Sequence, residues 1–245
     1  MTFNETGIEW CDCTWNPMTG CDRGCPGCYA KGIAENPFYA RGFPNGFGYT
    51  WRPKKLDDPI RTKKPRAVFV VSMGDLFGSI VPDNHIRLVL DAMKKAPWHT
   101  YILLTKNPRR MYEILSEVDP QKNWWVGTSV GESESSWTRA RHIRMHKWKG
   151  WNTFLSVEPL HTFPAMTHPA FDYIDWVIVG MRTKPLTPCD LIEIEAIDHA
   201  LLREKKTAFY KDSVRECFGR QVLDARQDLP LSFPKLQPKR GNQER

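Results

Sequence analysis

No apolar run in the 245-residue chain approaches the ~20 residues that a helix needs to cross a bilayer. The start, Met1-Thr2-Phe3-Asn4-Glu5, lacks the basic and apolar regions of a secretory leader. The expectation is a soluble, cytoplasmic protein with no membrane association. Internal repeats are absent too, which excludes solenoids and propellers. Structural zinc centres commonly use two C-x2-C type pairs, and this chain has no second pair. Seven cysteines without a leader point to a reducing compartment. Negative charge is in deficit: 28 Asp and Glu against 35 Lys and Arg leave a formal +7, which favours a polyanionic partner.

What is present is concentrated at Cys21-Asp22-Arg23-Gly24-Cys25-Pro26-Gly27-Cys28-Tyr29. Three thiols fall within eight residues in the order C-x3-C-x2-C. Thiolates are the ligands of iron–sulfur clusters, and three on a cubane leave one iron open. Gly24 and Gly27 suit a loop that wraps tightly, and Pro26 keeps it out of a helix. Zinc is the competing reading, although it usually takes four ligands. Three thiols cannot pair among themselves as disulfides. Cys11 and Cys13 fall on an expected strand at residues 7–16 and read as packing thiols.

Residues 30–65 read as a long irregular insertion with Phe38, Tyr39, Phe43, Phe47, Tyr49 and Trp51, leading into a basic run. Aromatics interleaved with cations suit unstacked nucleic acid; a solvated cover pinned by its aromatics is the alternative. From residue 67 the chain alternates short apolar strands with amphipathic helices, the pattern of a parallel sheet covered on both faces. Strands are expected at 67–72, 101–104, 124–127, 153–157, 176–179 and 208–210. Helices are expected at 83–96 (with Asp83 as N-cap), 109–117, 133–147 and 190–205. The fold class is α/β, a partial (β/α)6-type TIM-like barrel with outer helices. It is expected as one domain over residues 1–229 with a tail at 230–245. Most of the ten tryptophans are expected in the core, with some available for stacking.

Strands in this pattern stop at polar groups, Asp75, Lys106, Ser129 and Glu158, and such positions share the C-terminal rim of a barrel with the cysteine loop. Residues 137–148 carry a basic helix face with His142 and His146 one turn apart. That spacing suits a metal, a phosphate-contacting surface or a merely solvated face.

The triad Cys21, Cys25 and Cys28 resembles that of the radical S-adenosylmethionine enzymes, which often carry an aromatic where this chain has Gly27. The strand ends Ser72 and Asp75, Thr105-Lys106 and Ser129 are similar to those of spore photoproduct lyase, a DNA-repair member. A nearly end-to-end resemblance links the chain to an uncharacterised family common in phages and prophages. It rests on Ile8-Glu9-Trp10, Thr14-Trp15-Asn16-Pro17, Cys28-Tyr29-Ala30, Asp75-Leu76-Phe77, Leu155-Ser156-Val157-Glu158-Pro159-Leu160 and Asp175-Trp176-Val177-Ile178-Val179-Gly180. The chain departs from that family at Met181-Arg182-Thr183.

These resemblances imply a [4Fe-4S] cluster on Cys21, Cys25 and Cys28, with S-adenosylmethionine as second cofactor. Ser72 and Asp75 would hold its amino group, Thr105-Lys106 its carboxylate, and Ser129 its ribose. Tyr29, Glu158 and Gly180 would lie on its adenine side. A reduced cluster would split the sulfonium to give a 5′-deoxyadenosyl radical. The implied partners are a DNA or RNA substrate and an electron donor of flavodoxin or ferredoxin type. Cys189 and Cys217 are thiols that could donate hydrogen or simply lie buried. A radical enzyme acting on a small molecule or peptide, and a non-catalytic nucleic-acid-binding protein, are the competing functions.

Overall fold

A computed structural model describes residues 3–163, 169–181, 188–218 and 227–236. The chain divides into two compact units, Met1–Leu103 with Ser232–Arg245, and Leu104–Leu231. Among the described residues no helix is long and apolar enough to cross a membrane.

The first unit opens with β1 (Asn4–Glu5), β2 (Cys13–Trp15) and β3 (Met18–Thr19), then α1 (Tyr29–Ala34). It continues through β4 (Thr50–Trp51), α2 (Asp58–Arg61), β5 (Ala67–Val70), α3 (Asp83–Lys94) and β6 (Thr100–Thr105). β1 runs antiparallel to β2, which pairs in parallel with β5, and β5 pairs in parallel with β6. β3 and β4 form a separate antiparallel pair. β5 is Ala-Val-Phe-Val and buried throughout, as a parallel strand covered on both faces must be. α3 buries Ile86, Val89, Leu90 and Met93 on one face.

Several expected boundaries move. The strand expected over 7–16 shortens to β2, since Cys13–Trp15 alone have a partner in β5. Asp83 lies inside α3, in its first turn, and Pro82 holds the N-cap position. The inserted segment is more regular than its composition suggests. It holds α1, β4, α2 and 3-10 turns at Pro37–Gly42 and Pro53–Lys55.

The last residues of β6 begin the second unit. There follow α4 (Pro108–Leu115), β7 (Trp124–Val130), α5 (Thr138–Lys149), β8 (Asn152–Val157) and β9 (Trp176–Val179). α6 (Pro188–Arg203), β10 (Thr207–Tyr210) and α7 (Asp212–Phe218) complete it. β7, β8, β9 and β10 are joined in that order by parallel pairings. The architecture is the expected α/β arrangement of mostly parallel strands with helices between them, and the strand row of neither unit closes into a ring.

Local chemistry sets these bounds. Asn107 accepts a hydrogen bond from the Arg110 N–H at 3.5 Å, and Pro108 takes the first helical position of α4. α5 stops at Gly150, whose φ of 99° is open to glycine at little cost. Seven of the ten tryptophans are buried. In the second unit Trp124 stacks on Trp151 at 5.9 Å, and Trp125 meets Trp176 edge-on at 5.9 Å.

The basic face of α5 is largely committed to its own unit. Arg139 bonds to Glu132, Lys147 to Asp175 at 2.6 Å, and Lys149 to the Leu115 and Ser116 carbonyls. His146 is fully buried, with Nε2 at 3.2 Å from the Pro108 carbonyl. It is a core residue and cannot join His142 in an exposed metal or phosphate site. The side chains of Cys189 and Cys217, residues Arg182–Thr183 and the end of the tail lie outside the described residues.

Candidate cluster loop and cofactor site

The cysteine loop is fastened at its start by close backbone approaches. Gly20 forms a parallel bridge with Gly74, and its N–H donates to the Met73 carbonyl at 2.9 Å. Both glycines are required by contact. A Cβ on Gly20, at φ 101°, would stand 2.4 Å from the Gly48 carbonyl oxygen, and one on Gly74 would stand 2.6 Å from that of Gly20. The Cys21 N–H then donates to the Phe47 carbonyl at 3.2 Å, so the inserted segment itself holds the first cysteine.

Within the loop Gly24 and Gly27 take φ of 60° and 66°, and the Cys28 N–H reaches the Cys25 carbonyl at 3.3 Å. Cys21, Cys25 and Cys28 are all free thiols and partly exposed. Cys11 and Cys13 are free thiols too, but buried in the core. Burial pushes the Cys21 thiol above its ordinary pKa. The Arg23 backbone N–H opposes this, while Asp75, Asp22 and Cys25 add to it.

Among the described residues no three His, Cys, Asp or Glu side chains converge as they would on a single metal ion. A cubane does not need such convergence, because each thiolate binds a separate iron. Three accessible thiols on one turning loop fit a three-thiolate cluster. They are one donor short of a closed zinc centre.

The strand end facing this loop within the first unit is strained. Val71, directly after β5, has φ 59°, a conformation costly for a β-branched residue. It is held there by its N–H bond to the Trp15 carbonyl at 2.8 Å. The next residue, Ser72, is buried and exchanges hydrogen bonds with the Asn16 amide, whose oxygen also accepts from the Met73 N–H at 3.0 Å. Tyr29, first residue of α1 after the third cysteine, donates from its hydroxyl to the Ser72 carbonyl at 2.5 Å. Asp75 accepts from the Phe77 N–H at 3.1 Å and pairs with Arg23 of the cysteine loop at 3.6 Å. Tyr29, Ser72, Asp75 and the three cysteines are thus brought together. Asn16 and Arg23 join them: Asn16 is named in the sequence only within Thr14-Trp15-Asn16-Pro17 and Arg23 only as a member of the cysteine loop, and neither is marked as a site residue until its partner is seen.

The remaining sequence-derived site residues belong to the second unit. Thr105 is buried; its hydroxyl accepts from the Asn107 N–H at 2.8 Å and its carbonyl from the Thr128 hydroxyl at 2.7 Å. Those bonds shape the turn after β6. Lys106 pairs with Glu132 at 2.9 Å, and Glu132 also binds Arg139. Burial alone would raise the Glu132 carboxyl, but the hydrogen bonds from Arg139 and Lys106 hold it below its ordinary pKa. Ser129 is buried near the end of β7.

Glu158, after β8, pairs with Lys211, after β10. Gly180 leaves room for that pair, since a Cβ there would meet Lys211 Cδ at 2.9 Å and Glu158 Cδ at 3.0 Å. Glu132 and Lys211 carry no sequence motif and become visible only as partners of Lys106 and Glu158.

By overall fold the chain is similar to spore photoproduct lyase. A lyase variant with bound AdoMet and dinucleoside spore photoproduct superposes with a TM-score of 0.52 at 12% identity, over 80% of this chain and 64% of that one. The lyase complexed with dinucleoside spore photoproduct gives a TM-score of 0.51 at 13% identity, over 79% and 62%. The chain therefore spans under two thirds of these relatives, and at such identity the likeness is one of fold alone. No curated protein matches by sequence. A family profile does match, over residues 5–188, and the chain belongs to that family, described as a protein of unknown function, DUF5131.

Proposed function

We propose that this protein is a radical S-adenosylmethionine enzyme that repairs or modifies a nucleic acid or nucleotide. The observation that carries the reading is the linkage of three accessible free thiols to a strained strand end. Tyr29 and Arg23, flanking Cys28 and Cys25, reach Ser72 and Asp75. Cys21, Cys25 and Cys28 would hold a [4Fe-4S] cluster, which when bound supplies the single electron that splits the sulfonium of S-adenosylmethionine.

The chain's own residues supply position and shielding. Asp75 offers a carboxylate to the cofactor's ammonium, a charge-assisted contact of the stronger kind. Arg23 pairs with that carboxylate at 3.6 Å, so the cofactor's ammonium must share or displace that partner. Asn16 keeps Ser72 and the Met73 N–H in place. Lys106 and Ser129 are the proposed partners of the cofactor's carboxylate and ribose; Tyr29, Glu158 and Gly180 are those of its adenine side. Lys106 already pairs with Glu132, so a second carboxylate must share or displace that partner. The fold likeness to a lyase seen with a dinucleoside photoproduct supports a nucleotide-containing substrate, as does the net charge of +7. An electron donor of flavodoxin or ferredoxin type completes the proposal.

The test is anaerobic reconstitution with iron and sulfide, reduction, addition of S-adenosylmethionine and detection of 5′-deoxyadenosine by mass spectrometry. Product is expected from the intact chain and not from Cys25→Ala. A reconstituted cluster that cleaves nothing, with DNA and RNA present, would sink the radical reading.

A further inference from the structure

We infer that residues 29–66 form a grip for single-stranded nucleic acid, built directly onto the cysteine loop. The first observation is where the charge lies. This segment holds nine lysines and arginines against three acidic residues, a surplus of six out of the whole chain's +7. Each of its carboxylates is matched by one cation: Glu35 by Lys31 at 3.8 Å, Asp57 by Arg61 at 3.2 Å, and Asp58 by Lys55 at 3.4 Å. The surplus, which includes the exposed Arg41 and Lys54, exceeds what the segment can neutralise from within.

The second observation is the kind of apolar surface the segment shows. Every residue from Glu35 to Gly42 is exposed, and two of them are large aromatics. Phe38 is 86% exposed and Tyr39 48%, their rings edge-to-face at 5.1 Å. Burying neither ring leaves both available as stacking surfaces, which suit bases of any identity. The neighbouring aromatics behave otherwise. Trp51 lies flat on His85 at 4.1 Å, Tyr49 bonds to His85 Nδ1 at 2.5 Å, and Arg52 covers Phe43 at 5.3 Å. These contacts anchor the segment and leave the Phe38–Tyr39 edge outward.

The third observation is attachment. α1 starts at the residue after Cys28, and the Phe47 carbonyl holds the Cys21 N–H. The segment is fixed to the cysteine loop at two points, directly after Cys28 and through Phe47, and these bracket Phe38 and Tyr39 along the chain, so a strand stacked on those rings is tied to that loop. Exposed rings in a segment with surplus positive charge, Arg41 and Lys54 among its exposed cations, fit unpaired bases and their phosphates; a duplex hides its base faces and offers nothing to stack on. The proposal rests on the radical reading for what happens to the strand once it is held.

The experiment is fluorescence anisotropy of the full chain, as purified, with a labelled single-stranded oligonucleotide and with the same sequence as duplex. Salt is varied from about 50 to 200 mM. The single strand should bind more tightly. Phe38→Ala with Tyr39→Ala should weaken it roughly tenfold or more. Arg41→Gln and Lys54→Gln should each lower the salt slope by about 0.7. All four side chains are exposed, so melting temperatures should stay as in the parent, and the charge variants test the surface even if the aromatic pair perturbs folding.

Equal affinity for duplex overturns the proposal, as does binding that ignores these variants. So does a result in which the variants spare oligonucleotide binding but slow cluster reduction by an acidic electron carrier, because the surface then belongs to that protein. Oligonucleotide binding needs no cluster. Binding without 5′-deoxyadenosine formation would sink the enzyme reading and leave the grip standing; the reverse would do the opposite.

Discussion

The hydroxyl of Tyr29 donates a 2.5 Å hydrogen bond to the carbonyl oxygen of Ser72, across 43 positions of sequence. It joins the helix that leaves the cysteine loop to the strand end where Val71 is strained and Asn16 holds Ser72. Tyr29 as a whole stays 57% exposed, so its phenol acts as a tether more than as packing.

Tyr29→Phe removes that tether. A single neutral hydrogen bond contributes roughly 0.5–1.5 kcal/mol, so stability should fall modestly in urea titration. The cluster should still assemble, since no thiol is touched. Affinity for S-adenosylmethionine, measured by its perturbation of the reduced cluster's paramagnetic spectrum, should fall a few-fold. An affinity equal to the parent's would show that the tether does not position the cofactor.

Cysteine substitutions should divide into two classes. Cys25→Ala should abolish iron and sulfide incorporation while leaving the melting temperature of the metal-free chain near the parent's, because this thiol is partly exposed. Cys11 is fully buried. Cys11→Ser should retain iron but lower stability by about 1–3 kcal/mol through a buried hydroxyl in an apolar site. Iron loss on replacing Cys11 would contradict its packing role.

Gly127 in β7 is a steric requirement. A Cβ there would lie 2.5 Å from the Phe154 ring and 2.6 Å from its carbonyl oxygen. Gly127→Ala should destabilise by about 1–3 kcal/mol or more. Adding Phe154→Leu should recover part of that loss, and a double-mutant cycle reads the coupling directly. The carbonyl contact makes full recovery impossible.

Acid should unfold the protein partly through His146. Burial holds this imidazole neutral, moving its pKa from 6.5 down to about 4; the Pro108 carbonyl opposes the shift and His142 assists it. Below pH 6.5 the unfolded chain binds this proton and the folded chain does not, so stability is present above that value and is lost as pH falls toward about 4. The full effect is at most about 3 kcal/mol. Replacing His146 by Gln, which keeps a donor for the Pro108 carbonyl, should flatten stability across that window in chemical denaturation. A parent-like pH profile in the variant would assign the acid sensitivity to other groups.

Much of this protein is legible along the chain. The C-x3-C-x2-C spacing is a local property, since thiols within eight residues on a glycine-rich loop cannot separate far. The main strands and helices from residue 67 onward are legible because apolar period and length report burial directly, as in β5, β8 and α3. Other features depend on which residues meet across long separations, and no local pattern encodes that. Asn16 reads as a strand breaker until the pairing of β2 with β5 brings it to Ser72 and Met73. His146 reads as part of a basic face until α5 packs against α4 and buries it beneath Pro108. Lys106 reads as a strand-end cation awaiting a carboxylate until the turn after β7 delivers Glu132. Sequence by itself determined the main strands and helices from residue 67 onward and the thiol loop, through covalent spacing and hydrophobic period. Tertiary structure alone decided which polar groups were paired, buried or left facing water, because those outcomes follow from strand register and helix packing.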